Sequence, residues 1–209
     1  MKRWIIAAMA FLTAGAASAQ TNNVRFGLKG GANFSKFHIT PEATQQSEKF
    51  GTGYFAGGLM EYSFPAGSKW KLQLEAMYSN HKPKVDYAAV QPVNVKYELS
   101  QVSVPVLAKY FVTPAFSING GLSANFNTNL KSETTAGGAV TKLTDKDHLN
   151  EFQAGALVGA TVYIHEGLFI DGRYNTYFGN TYKPANGASS PKMSLNNFQV
   201  GIGYKFKKG

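Results

Sequence analysis

Cysteine is absent from the whole chain. That gap excludes lipid attachment through a leader cysteine, disulfide stapling and thiolate metal sites, so stability must come from packing and hydrogen bonds. Past the N-terminal leader, no window approaches the ~18 consecutive apolar residues that a membrane helix needs. Acidic side chains are few, 12 against 21 lysines and arginines. The basic residues form no dense run, however, which makes nucleic acid a poor partner and anionic lipid headgroups the more natural one. No zinc signature, dinucleotide fingerprint or phosphate loop occurs, because the adjacent glycines of GLKGGANF lead into no helical pattern. No cofactor is expected.

What is present begins with a leader. Lys2 and Arg3 precede an apolar run from Trp4 to Ala17, and Ala17-Ser18-Ala19 has the small-x-small form of a signal peptidase site. Cleavage after Ala19 divides the chain into a signal peptide (1–19) and one domain (20–209) carrying 19 basic and 12 acidic side chains, a charge of +7. The alternative, an N-terminal anchor, needs a longer apolar run than this one.

The rest is strand. In FSINGGLSANF (116–126) every even-numbered residue is apolar or small and every odd one is polar or glycine, the period of a sheet with one greasy face. The same parity runs through 24–34, 54–64, 70–79, 99–111, 149–164, 168–178 and 195–206. Short turns (65–69, 112–115, 165–167) alternate with long polar connections (35–53, 80–98, 127–148, 179–194). The expected fold is all-β: an eight-stranded antiparallel up-and-down barrel with its long loops and its termini at opposite ends.

The aromatics decide which face meets which solvent. Phe26 and Phe34, Tyr54 and Phe64, Trp70 and Tyr78, Phe116 and Phe126, and Phe198 and Phe206 bracket their strands on the apolar face. At ~3.3 Å per residue and a tilt near 45°, that spacing covers roughly 20–25 Å, about the height of an outer-membrane apolar band between two aromatic girdles. A soluble barrel has no reason to push its rings to both strand ends. A transmembrane barrel in the cell outer membrane follows, with periplasmic termini and extracellular long loops as the expected orientation.

Arg25, Lys29, Glu61, Lys71, Glu75, Lys109, Asp171, Arg173 and Lys205 then face the lumen. Eight strands enclose room for little besides side chains, so a paired polar plug is the expectation and a selective channel the alternative. Inward glycines (Gly27, Gly31, Gly57, Gly121, Gly155, Gly159, Gly201, Gly203) either make room for long cations or leave a wet cavity. Pro105 cannot donate to a ladder, which predicts a bulge or local irregularity in the fourth strand.

Chemistry has two thin candidates. Ser79 and His81, with Asp86 nearby, could serve a lipid hydrolase at the apolar surface. Asp145, Asp147 and His148 could hold a divalent cation, although such a cluster is more often a solvated loop tip. His38 and His165 read as a loop and a turn residue. Loop lysines (Lys36, Lys49, Lys82, Lys84, Lys96, Lys131, Lys142, Lys146, Lys183, Lys192) confer solubility or meet lipopolysaccharide phosphates.

GLKGGANFS (27–35), KLQLEAMYS (71–79), SVPVLAKYF (103–111), GLFIDGRYN (167–175) and VGIGYKF (200–206) together resemble the PorT-like outer-membrane β-barrel family of Bacteroidota. The resemblance implies an eight-stranded barrel inserted by the barrel-assembly machinery, with a family label inherited from a secretion-associated member. Lys207-Lys208-Gly209 depart from the aromatic ending usual in such barrels. The expected role is structural, surface contact or attachment without catalysis. A small channel or secretion accessory is the alternative, and a lipid-modifying enzyme a distant one.

Overall fold

A computed structural model describes residues 23–40, 46–65, 67–88, 93–145, 149–182 and 192–206. The leader, Asp147, His148 and the last three residues lie outside the described residues. Eleven strands follow in order: β1 (Val24–Thr40), β2 (Gln46–Lys49), β3 (Gly51–Ser63), β4 (Trp70–His81), β5 (Lys84–Tyr87), β6 (Val93–Thr113), β7 (Phe116–Ala136), β8 (Ala139–Asp145), β9 (Phe152–His165), β10 (Leu168–Tyr177) and β11 (Lys192–Lys205).

Eight of them close a barrel in the order β1-β3-β4-β6-β7-β9-β10-β11, all antiparallel. The seam joins β1 to β11 from Gly27 opposite Lys205 to Thr40 opposite Lys192. Outward-facing Leu28, Leu72, Leu122, Val158 and Ile202 are each more than two-fifths exposed, which is where hydrocarbon must cover them. The turn from β9 to β10 requires Gly167, whose φ is 90° and whose added Cβ would lie 2.3 Å from the Lys205 carbonyl oxygen.

The strands run further than the alternation over 24–34 or 99–111 suggests. Residues 35–40, 93–98 and 127–136 continue β1, β6 and β7, and the β2–β5 and β7–β8 pairings add a sheet above the barrel. The long connections are thus partly sheet, and there the solvent preference of the two faces inverts. Lys36, His38, Lys84 and Lys96 point outward, while Phe37, Ile39, Val85 and Leu99 point inward and are buried. These join Leu130, Leu149, Tyr177, Met193 and Leu195 in an apolar cluster that fills the long-loop end of the lumen. Below it the inward face is polar because lipid holds the outward one; above it water holds the outside and the apolar side chains turn in.

Pro105 introduces a local irregularity without a bulge. The β4–β6 ladder skips Glu75 and Ala76 opposite Pro105 and Val104, then resumes in the same register; the missing N–H costs ladder bonds and nothing more. Besides a shift between Phe111 and Thr113 at the turn, the register on β6 shifts between Ser100 and Gln101, opposite Asn129 and Asn127. The extra residue, Thr128, donates its hydroxyl to the Ser100 carbonyl at 3.0 Å. Beyond it the inward parity on β7 becomes even, so Leu130 joins the cluster.

Candidate functional site: the charged lumen

Three layers of side chains fill the lumen below the apolar cluster. The lowest, at the short-turn end, centres on Glu61 of β3. It receives Lys71 at 3.1 Å and Lys205, with Lys109 at 4.0 Å. The Tyr163 hydroxyl accepts from Lys109 at 3.0 Å and from Lys205 at 2.7 Å. Lys109 also donates to Gln73 at 3.2 Å and Thr161 at 3.1 Å.

The middle layer spans the barrel. β4 and β10 lie on opposite sides of the closed sheet. From β10, Arg173 reaches Glu75 on β4 with two nitrogens, at 2.8 and 2.9 Å, the side-on fork that strengthens an Arg–carboxylate pair. The same guanidinium donates from Nε to Asp171 at 2.9 Å. Lys29 of β1 bridges Glu75 and Asp171 at 3.1 Å each. Gln73 gives a further bond to Glu75, and Thr161 one to Asp171 at 3.1 Å. All six of these side chains are essentially cut off from solvent, a setting in which each charge would cost several kcal/mol without its partners.

The upper layer is amide and hydroxyl. Gln101 donates to Asn127 and Asn127 to Gln153, both at 2.9 Å, and Asn175 donates to Asn197 at 2.8 Å. Glycines give the layers their floor. A Cβ on Gly201 or Gly203 would lie 2.6 or 2.3 Å from the ring tips of Phe55 or Phe169, so those glycines hold aromatic rings rather than open water.

Of the sequence-predicted lumen charges, Lys29, Glu61, Glu75, Lys109, Asp171, Arg173 and Lys205 are buried together, with Lys71 half-buried among them. Arg25 is the exception: it stands exposed at the short-turn rim, because a residue in the opening pair of a strand reaches the mouth, not the interior. Gln73, Thr161 and Tyr163 were not singled out by charge, although their odd numbers already turned them inward. All ten girdle residues face outward. Rings meet between neighbouring strands at Tyr54–Tyr78 (6.3 Å) and, with Tyr110 and Phe152 of the same apolar face, at Trp70–Tyr110 (5.0 Å) and Phe126–Phe152 (5.5 Å).

The hydrolase constellation is not assembled. Ser79 and His81 point into the lumen and are buried, away from any lipid substrate. His81 bonds Ser35 at 2.8 Å, and Asp86 pairs with Lys49 on the outside, at 2.5 Å. His38 lies in β1, 3.8 Å from Glu48.

A search of the curated proteins finds no match to this chain. Among solved structures, Ail, the attachment invasion locus protein of Yersinia pestis, aligns with a TM-score of 0.51 and 13% identity over 89% of this chain and 100% of that one. Neisserial surface protein A aligns with a TM-score of 0.51 and 11% identity over 87% and 97%. At such identities the likeness is one of fold. The family profile described as "Outer membrane protein beta-barrel domain" matches residues 18–183. The chain belongs to the outer membrane protein beta-barrel domain family and resides in the cell outer membrane.

Proposed function

We propose that this protein is a closed, non-conducting and non-catalytic barrel that serves surface contact or attachment, with its termini in the periplasm and its long-loop sheet outside the cell. The observation that carries the reading is the Arg173–Glu75 bridge across the full width of the lumen, with Lys29 and Asp171 wedged beside it. The apolar cluster above it closes the other end. Such a barrel has no path for solute and works through what it displays.

The displayed part is built for a polyanionic surface. Lys49, Lys84, Lys96, Glu133 and Lys142 stand opposite one another in one row across β2, β5, β6, β7 and β8. Four lysines against Glu133 and the Asp86 beside Lys49, just beyond the outer girdle, suit the phosphates of lipopolysaccharide. The names of the similar barrels, an attachment protein and a surface protein, agree with a display role. Within the family, the resemblance of SVPVLAKYF and KLQLEAMYS to PorT-like members supports membership of that branch.

Planar-bilayer recording of the refolded barrel tests the proposal. Silence, or rare unsteady events, is expected; steady open conductance would overturn the plug and favour the channel.

A further inference from the structure

The short-turn mouth of the lumen is a cavity of about 330 Å³, and Arg25, Glu61, Lys71, Tyr163, Glu166 and Lys205 are in its wall. Lys109 stands just behind, 4.0 Å from Glu61. Three cations of the wall therefore face two carboxylates. Glu61 is already shared by Lys71, Lys205 and Lys109, so it cannot neutralise them all. Lys71 is fixed over the Phe111 ring at 4.4 Å, with 22% of its side chain exposed. The Tyr163 oxygen accepts from both Lys109 and Lys205. Arg25 stands exposed at the rim.

A recess with surplus positive charge and low-dielectric walls concentrates its field on whatever anion enters, and a partly desolvated cation gains most from a counter-charge. We propose that this mouth binds a phosphate-class dianion, inorganic phosphate or a phosphomonoester, with Arg25 and Lys71 in direct contact and Lys205 and Tyr163 behind them. The planar Arg fork takes two oxygens and the Lys ammonium a third. A cavity of this size, at the lower end of small-ligand sites, leaves room for a small organic group on the phosphate. A phospholipid headgroup from the adjoining leaflet offers the same chemistry.

Full-length barrel refolded in a zwitterionic detergent is titrated with inorganic phosphate against chloride at constant ionic strength, with phosphorus NMR line width and the thermal midpoint as readouts. Saturable broadening and a raised midpoint are expected. The double variant Arg25→Gln/Lys71→Gln, whose side chains are part-exposed and whose folding is checked by circular dichroism, should bind about tenfold or more weakly, as loss of charged hydrogen bonds implies. Lys69→Gln, exposed in the turn before β4 and outside the cavity wall, should match the parent. In a second arm, nanodiscs of phosphatidic acid are compared with phosphatidylcholine in the absence of free phosphate. Protection by phosphatidic acid, lost in the double variant and without a response to free phosphate, assigns the site to a headgroup. Equal behaviour in phosphate and chloride with no lipid preference, or an undiminished response in the double variant, overturns the site. A conducting lumen would refute the plug and leave this response unchanged, so the two proposals fail separately.

Discussion

Glu75 accepts from Arg173, Lys29 and Gln73 at once, and no other carboxylate in the lumen can replace it. Replacing it by glutamine keeps the volume and deletes the charge, which leaves two buried cations facing Asp171 alone. Glu75→Gln should therefore cost about 3–5 kcal/mol, the range for breaking one side of a buried pair. Urea unfolding in lipid vesicles, followed by Trp70 fluorescence, measures it. A loss under about 1 kcal/mol, as for an exposed pair, would mean that water reaches the bridge. Adding Arg173→Met to the variant should recover part of the loss, since the uncompensated guanidinium goes with it. The facing of these residues was legible from their odd numbers alone. Their partners were not, because a bridge between strands on opposite walls depends on closure, which no local pattern encodes. Arg25 misled for a related reason: parity gives a side chain's face, and height decides whether that face is lumen or rim.

At the scale of the element, β1 changes character along its length. Phe34 faces lipid and is 37% exposed, whereas Phe37, three residues on, is fully buried in the apolar cluster. Phe37→Ala should cost about 3–5 kcal/mol as a large cavity in a packed core. Phe34→Ala opens no cavity and should cost markedly less in the same vesicles. Equal costs would place the cluster in contact with solvent. The strands within the membrane were readable in the sequence because lipid enforces one alternation over the whole span. Their continuation was taken for polar loop, since Phe37, Ile39, Val95 and Leu99 obey the opposite rule, that of a soluble sheet. The signal was there in the unbroken parity of 35–40 and 93–98. The bulge at Thr128 left no such trace, as threonine is at home in any strand, while Pro105 advertised a disruption that an unshifted register absorbs.

For the whole molecule, the inversion of faces sets how deep the barrel sits. Sliding it outward by two residues along β1 would trade Phe34 for Ala32 at the interface; sliding it inward would carry Lys36 into hydrocarbon, at up to ~2–4 kcal/mol near the midplane and less toward the edge. Stability should peak in bilayers with an apolar thickness near ~25 Å and fall in thicker ones. Unfolding in vesicles of graded acyl length checks this, and a flat dependence would contradict the assigned band. The architecture was legible because every strand repeats the same message; the working role was not, because display surfaces carry no pattern that physics enforces. The seam has a consequence in time. The first strand finds its partner only in the last, through fourteen residue pairs, so β1 keeps one bare edge until β11 has arrived. A chain cut short before β11 would be left with two such edges and no way to shut, and β1 would be free to pair with a neighbouring copy.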